Sequence, residues 1–386
     1  MPYTAPSTVS AGQTYASAAH NVIVNDIIDH ESRLLTVQNT QYPFRNILLN
    51  GAMQVSQRAT SVSGITSGQT YNTADRWVFS VSAGGTWTQA VSADAPTGSG
   101  FRNSLRVTAT VSAVTGAGTY VLVGQRLEGQ TLQHLKKGTS SAQQLTASFW
   151  VKSNKTGTYI VEIQDVDNTR SVSASYTVNA ADTWENKTIT FPADTTGALD
   201  NDNALSLVAQ FWLSAGTNFT SGSLQTSWNT TTSANQAVGQ TNLAGATNQY
   251  LAITGVQLEP GNVASPYEFV LYQDELRRCQ RYYQMNIAGT AFGPIGWGFA
   301  NSTSLSTAYI PTKTVMRANP IIGSFANLRV FDVSTASAVT GIVITQANPL
   351  IVSLDVTTAA VLTVARPTVL QGNNNAAGYV DFFAEL

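Results

Sequence analysis

Strict alternation of apolar and polar residues in short segments is the feature that most limits how this chain can fold. The clearest case is "QQLTASFWVKS", in which the apolar positions are Leu145, Ala147, Phe149 and Val151 and the intervening ones are Thr146, Ser148, Trp150 and Lys152. Successive side chains of a β-strand point to opposite faces of the sheet. The period of two therefore predicts a strand with one buried face.

Similar segments recur along most of the chain. Between about residues 46 and 270 they include "TYIVEIQDV", "WENKTITFP", "LSLVAQFWLS" and "QYLAITGVQLE", separated by Gly, Asn and Asp. Many short antiparallel strands between turn residues are typical of a β-sandwich or jelly roll. The alternation resumes after Met285 in "LRVFDVS", "GIVITQ" and "LIVSLDV". The sequence therefore predicts a mainly β protein, with a jelly roll over 46–270 and a second β domain over 286–386.

Residues 1–45 differ from this pattern. A small, polar, Pro-containing arm precedes "HNVIVNDIIDHESRLLTVQ", where apolar residues recur at helical spacing. We expect a helix over about residues 18–37, with an apolar stripe that includes Val24, Ile27 and Leu34. This stripe either docks or trimerises the chain, or packs on its own domain.

The segment "QDELRRCQRYYQM", residues 273–285, carries five charges in eight positions, although only 11% of the chain is charged. Tyr272, Leu276, Cys279 and Tyr283 fall at 4-3-4 spacing, which is one apolar stripe of a helix. The pattern predicts a connecting helix over 271–285, with Asp274 meeting Arg278 one turn later. Its stripe is expected to pack on the jelly roll or on a symmetry mate.

Composition excludes several classes of protein. The net charge is −2 and no basic run is present, so the phosphate attraction that nucleic-acid binding needs is missing. A single cysteine forms no disulfide within the chain. No apolar run is long enough to predict membrane insertion, and no signal peptide is recognised. We therefore expect synthesis in the cytoplasm.

Several segments resemble those of tailed-bacteriophage virion proteins, described as tail-fibre or structural proteins with a carbohydrate-binding-module-like jelly roll. They occur in order over about residues 45–284: "RNILLNGAMQVSQRATS", "YNTADRW", "GQRLEG", "ASFWVKSNKTGTY", "TITFPADTTG", "ITGVQLEPGNVASPYEF" and "ELRRCQRYY". In "ADRW" we expect Asp75 and Arg76 to form a structural pair.

The resemblance implies a non-enzymatic, homotrimeric fibre. Its N-terminal segment would contact other virion proteins, and its β domains would adsorb to host-surface saccharides. The expected location is the virion, after release by lysis. The two stripes, Val24, Ile27 and Leu34 together with Tyr272, Leu276, Cys279 and Tyr283, are the expected oligomerisation surfaces. A capsid decoration or head-fibre protein is one alternative, and a glycan-depolymerising tailspike is a second.

No constellation for catalysis is recognised, and no cofactor or metal is expected. The three histidines, His20, His30 and His134, do not have metal-ligand spacing. Alternating Asp and Asn in "DVDN" (165–168) and "DNDN" (200–203) could offer oxygens to Ca²⁺. Turns that use these side chains to bond their own backbone are the preferred interpretation.

Aromatic residues on polar strand faces provide the candidate saccharide site. Trp150 and Trp212 each lie opposite a Phe in a predicted strand, on the more polar face. A Trp in that position offers an apolar surface to a sugar ring, with Gln210 or Lys152 as hydrogen-bond donors. The alternative is that loops cover these faces and the rings are ordinary packing. The aromatic stretch "AFGPIGWGF" in the second domain is a further location for a receptor site.

Overall fold

The computed structural model describes residues 44–386 and, ahead of them, residues 25, 26 and 29. Apart from those three positions, the helix expected over 18–37 lies outside the described residues, and so does its stripe of Val24, Ile27 and Leu34. No helix in the described part of the chain is long and apolar enough to cross a membrane.

Residues 61–260 contain the first group of strands. They are β1 Ser61–Ile65, β2 Gly68–Tyr71, β3 Val78–Ser82, β4 Thr86–Ser92, β5 Ser104–Val111, β6 Tyr120–Glu128, β7 Leu145–Ser153, β8 Gly157–Asp165, β9 Arg170–Val178, β10 Glu185–Phe191, β11 Leu205–Ala215, β12 Asn229–Thr230 and β13 Tyr250–Pro260. A short helix, α1 Thr217–Thr220, follows β11. Short 3-10 turns are present at Gly129–Thr131, Gln133–Leu135 and Ser233–Asn235.

These strands form two antiparallel sheets. The six-stranded sheet has the order β1-β4-β5-β13-β7-β10, and the seven-stranded sheet has the order β12-β9-β8-β11-β6-β3-β2. Phe149 of the first sheet meets Phe211 of the second with ring centroids 4.9 Å apart, and one large core fills the space between the sheets. The predicted β-sandwich with jelly-roll character is confirmed.

The alternation in β7 explains how this strand is oriented. Leu145, Ala147, Phe149 and Val151 are all buried in the core, whereas Trp150 and Lys152 are only half-buried. The period of two therefore places the two latter side chains on the outer face of the six-stranded sheet.

The connecting helix is shorter than predicted. Helix α2 is Tyr272–Gln280, and the chain enters a strand at Tyr283. The stripe is therefore not a single helix face, because Tyr283 lies in that strand and its hydroxyl donates to Asp381 at 2.9 Å. Cys279 is completely buried, Leu276 is half-buried and Tyr272 is exposed.

Cys279 and Tyr283 are thus buried within their own chain, and the oligomerisation role expected for the stripe stays a prediction. Burial raises the pKa of the Cys279 thiol well above its usual value. The charges also pair differently from the prediction: Asp274 lies 3.8 Å from Arg277, and Glu275 lies 3.7 Å from Arg278.

The second group of strands follows. They are β14 Tyr283–Ile287, β15 Pro294–Ala300, β16 Leu305–Pro311, β17 Ile321–Ala326, β18 Leu328–Phe331, β19 Ala336–Asn348, β20 Ile351–Thr358, β21 Pro367–Gly372 and β22 Tyr379–Phe383. Six of them close into a barrel, β15-β16-β20-β19-β18-β21, and β14-β22-β17 form a small sheet. A second core fills this unit. The predicted second β domain is present.

Ionic contacts join the two β units. Glu385, which follows β22, pairs with Arg58 at 3.0 Å and with Arg76 of the sandwich. Arg281 donates to the buried Glu128 from Nε at 2.9 Å and from Nη2 at 2.7 Å.

The predicted pairing of Asp75 with Arg76 is wrong. Asp75 accepts hydrogen bonds from the backbone N–H and the side-chain amide of Gln57. The guanidinium of Arg76 points instead to Glu385 and to the carbonyl oxygen of Arg126. The neighbouring acid in sequence is therefore not the partner in space.

Candidate functional site

The outer face of the six-stranded sheet brings together aromatic and charged side chains. Strands β7 and β10 pair with Trp150 opposite Asn186 and Val151 opposite Glu185. The same register places Trp184, just ahead of β10, beside Lys152. The ammonium of Lys152 lies 6.0 Å from the centroid of the Trp184 ring. Trp150 and Trp184 are both half-buried, so part of each ring reaches the solvent.

Asp94 organises this face. Its carboxylate accepts from the ammonium of Lys152 at 2.9 Å and from the indole N–H of Trp184 at 3.0 Å. Partial burial tends to raise the pKa of Asp94, but these two hydrogen bonds outweigh the burial and the pKa lies below its usual value. Asp94 is therefore a carboxylate that fixes an ammonium and a Trp ring in one arrangement.

A second ionic group flanks the first. The guanidinium of Arg106 lies 3.7 Å from the centroid of the Tyr250 ring. The hydroxyl of Tyr250 donates to Asp182 at 2.6 Å. Burial raises the pKa of this hydroxyl, and hydrogen bonding to Asp182 raises it further. Arg106 and Lys152 both lie opposite Ala252, on either side of β13, so the two groups share one surface. We call this surface the "sandwich face"; its residues are Trp150, Lys152, Trp184, Asp94, Arg106, Tyr250 and Asp182.

The sandwich face has the chemistry of a binding surface. It presents flat rings next to fixed hydrogen-bonding groups, which is the combination that orients a polar ligand with apolar faces. Asn186 and Thr188 extend the polar border along β10, and both are exposed.

The structure places Trp212 and Gln210 elsewhere. Both lie in β11 of the seven-stranded sheet, and Trp212 is only 2% exposed. Its ring packs 5.3 Å from that of Phe219, just beyond the end of the strand. The indole N–H of Trp212 and the amide of Gln210 each donate to Glu162 at 2.9 Å.

Trp212 therefore has a packing role in this structure, because a covered ring offers no face to a sugar. Glu162 is completely buried beneath the same segment and also accepts from Gln236 at 2.8 Å. Burial raises the pKa of this carboxyl, although the amide and indole donors act in the opposite direction. The packing alternative considered for the two Trp residues thus describes Trp212, whereas Trp150 remains partly open.

The two Asp/Asn clusters act as turns. Asp165 pairs with Lys137 and accepts the backbone N–H of Asn168 at 3.0 Å. Asp202 accepts the backbone N–H of Ala204 at 2.9 Å. Among the described residues, no group of three or more His, Cys, Asp or Glu side chains is placed to hold a metal ion.

Sequence reasoning missed Trp184, Asp94, Arg106 and Tyr250. These residues come from four separate segments of the chain, and they meet only because β5, β13, β7 and β10 are neighbours in the sheet. Trp184 carried one available signal, since it is the first residue of the predicted strand "WENKTITFP". The register needed to place it beside Lys152 is set by the fold.

Comparisons with known proteins identify no family. No family model matches the chain, and no curated protein matches it. Among solved structures, the enzymatically active domain of bacteriophage CBA120 tailspike protein 4 aligns with 57% of this chain at 14% identity and a TM-score of 0.30. The present chain spans only 22% of that protein's length.

Two carbohydrate-binding modules are also similar. TmCBM61, solved with beta-1,4-galactotriose, aligns with 56% of this chain and 99% of its own at 11% identity and a TM-score of 0.30. The family 11 module from Clostridium thermocellum, solved with a beta-1,3-1,4-mixed-linked tetrasaccharide, aligns with 54% of this chain and 99% of its own at 12% identity and a TM-score of 0.27. TM-scores this low define neither the family nor the ligand of the present chain.

Proposed function

We propose that this protein binds a saccharide on the sandwich face and does not cleave it. The observation that carries the proposal is that Asp94 holds Lys152 and the ring of Trp184 together on the sheet face that also carries the half-buried Trp150. A sugar ring has an apolar CH face that packs on an indole and hydroxyls that need donors and acceptors. The sandwich face supplies both kinds of contact.

The biological setting we propose is a bacteriophage virion. The protein is a homotrimeric fibre, made in the host cytoplasm, released by lysis, attached to the particle by its N-terminal segment and adsorbing to saccharides of the host surface. An open site that contacts one or two rings is weak, on the order of millimolar to tens of micromolar. Three sites on each fibre then raise the effective affinity through local concentration.

A binding role is favoured over catalysis by the state of the carboxylates. Glycoside hydrolysis needs two carboxyl groups on either side of the scissile bond, one of them with a raised pKa. On the sandwich face Asp94 accepts hydrogen bonds from Lys152 and Trp184, and its pKa is lowered. The second carboxylate of this face, Asp182, accepts the hydroxyl of Tyr250 at 2.6 Å. Glu162 has a raised pKa but is completely buried.

The experiment is a binding titration of the full chain against surface polysaccharides purified from the bacterial host. We expect Trp150→Ala and Trp184→Ala each to weaken binding, because each removes one ring surface. Phe44→Ala is the matched control, since this exposed aromatic ring lies beside Arg278 of α2, which is not part of the sandwich face. Unchanged binding by the folded Trp150→Ala, Trp184→Ala double variant would remove the sandwich face as the site.

A further inference from the structure

The barrel carries an aromatic surface that is separate from the sandwich face. Strand β15 reads PIGWGFA, and its outward side chains Trp297 and Phe299 are 56% and 45% exposed. Tyr309 of the neighbouring strand β16 is 42% exposed. Large aromatic rings are usually well buried in soluble proteins, so three open rings on two adjacent strands require an explanation. We call these three residues the barrel aromatic face.

Glycines on the inner side of β15 help to fix where these rings point. A Cβ added at Gly298 would lie 1.6 Å from the carbonyl oxygen of Thr307, and one added at Gly296 would lie 2.8 Å from Cγ1 of Ile310. The barrel wall is therefore packed too closely here to admit larger side chains at the two inward positions. The intervening Trp297 lies on the outside.

Strand pairing aligns two of these rings, Tyr309 and Trp297, in one row with Val369 and Phe331. Trp297 lies opposite Tyr309 on one side and opposite Val369 on the other, and Val369 lies opposite Phe331. Neighbouring strands are about 4.8 Å apart, so the row from Tyr309 to Phe331 crosses three spacings and is about 14 Å long. A row of that length offers contact to more than one sugar ring along an extended chain.

Polar groups border one end of the row. A surface cavity of about 460 Å³ is lined by Tyr309, Gln346, Ala347, Asn348, Ile351 and Ser353. The side-chain amides of Gln346 and Asn348 and the hydroxyl of Ser353 thus line this cavity together with Tyr309. Open apolar rings with neighbouring amide and hydroxyl groups suit a ligand that has apolar faces and many hydroxyls.

The charge around the row selects among saccharides. Asp355 of β20 lies opposite Thr307 of β16, and Thr307 lies opposite Phe299 of β15. Asp355 accepts a hydrogen bond from Thr307 at 3.2 Å. At the other end of the row, the guanidinium of Arg329 lies 5.8 Å from the centroid of the Phe331 ring. One carboxylate and one cation therefore border the row, and their opposite charges suit an uncharged polymer better than an acidic one.

From these observations we propose that the barrel aromatic face is a second saccharide site, which binds an uncharged polysaccharide chain along the row of Tyr309, Trp297 and Val369. The site extends the proposed function but uses different residues from the sandwich face. The two sites can therefore fail separately.

Affinity electrophoresis of the full chain tests this proposal. The probes are three soluble neutral polysaccharides, namely dextran, hydroxyethylcellulose and galactomannan, and one acidic polymer, alginate. We expect at least one neutral polymer to retard the protein and alginate to retard it less. Trp297→Ala and Tyr309→Ala should each weaken the retardation about fivefold to tenfold, since each removes one stacking surface.

Two matched variants distinguish this site from the proposed sandwich site. Trp150→Ala should leave retardation by the neutral polymer unchanged, and so should Phe44→Ala, which removes a ring that is 65% exposed and lies 5.2 Å from the guanidinium of Arg278 in α2. If Trp150→Ala abolished it while Trp297→Ala did not, the sandwich face would be the only saccharide site and the barrel proposal would be overturned.

Other outcomes also overturn the proposal. Absence of retardation by all three neutral polymers, or stronger retardation by alginate, would contradict the neutral-chain assignment. A change in sedimentation mass on Trp297→Asp would show that the face is an interface between copies of the chain. Trp297→Ala is expected to keep the wild-type melting temperature because the ring is exposed.

Discussion

Replacing Glu385 with Leu tests whether the two β units are held together by buried charge. The side chain of Glu385 is nearly buried and pairs with Arg58 and with Arg76, which is itself almost completely buried. Burial tends to lower the pKa of Arg76, but the charge of Glu385 overcomes this and the net pKa is raised. Glu385→Leu therefore leaves a buried guanidinium without its counter-charge.

The size of the effect follows from the partners that remain. Removing one member of a buried ion pair costs about 3 to 5 kcal/mol. Arg76 keeps a hydrogen bond to the carbonyl oxygen of Arg126 at 2.6 Å and its contact with the Tyr282 ring, 3.5 Å from the centroid. We therefore expect the lower end of that range, about 3 kcal/mol of the free energy of unfolding.

Equilibrium unfolding in urea, followed by Trp fluorescence, measures this change. Asp274→Ala is the matched control, because its pair with Arg277 is exposed at 3.8 Å and should contribute about 0.5 kcal/mol or less. The double variant Arg76→Met, Glu385→Leu should recover most of the loss, since it removes both charges. A loss of unfolding free energy for Glu385→Leu no larger than that for Asp274→Ala would show that buried charge at Glu385 does not hold the two β units together.

Three further predictions concern packing, pH and assembly. Trp212→Ala should destabilise the sandwich by about 3 to 5 kcal/mol in a urea titration. Trp212→Phe loses mainly the hydrogen bond to Glu162 and should cost about 1 to 3 kcal/mol. Equal costs for the two variants would contradict a packing role for the Trp212 ring. The lowered pKa of Asp94 means that its carboxylate stabilises the fold above the ordinary Asp value of 3.8 and that this stabilisation is lost as the pH falls below 3.8. The difference in unfolding free energy between wild type and Asp94→Asn should therefore become smaller at low pH. A difference that becomes larger would contradict this prediction. Deleting residues 1–40 should leave folded protein that no longer joins virus particles, and normal incorporation of the truncated chain would count against attachment through this segment. Sedimentation of the full chain should give the mass of three copies, and the mass of one copy would count against the proposed trimer.

The sequence predicted the parts of this fold that depend on local periodicity. Alternation in β7 predicted both the strand and the side of the sheet on which Phe149 and Trp150 lie. It did not predict that a later segment would place Phe219 on the ring of Trp212. Strand β11 has the same apolar–polar alternation as β7, and the segment around Phe219 has no periodic pattern that would have revealed the contact.

The same limit applied at the connection between the two β units. Tyr283 continues the helical spacing of Tyr272, Leu276 and Cys279, yet it lies in a strand because it pairs with Phe383, a hundred residues away along the chain. Arg76 likewise pairs with Glu385 and not with its neighbour Asp75. Contacts between distant segments decided both outcomes, and a single sequence does not show such contacts.

We propose that this protein binds a saccharide of the host surface without cleaving it. The most direct measurement is to incubate the full chain with host surface polysaccharide at a concentration that saturates binding, and then to determine the length distribution of the polysaccharide. We predict bound polysaccharide of unchanged length, with binding reduced by Trp150→Ala. Release of shorter oligosaccharides would show that the protein cleaves the saccharide and would favour a depolymerising tailspike.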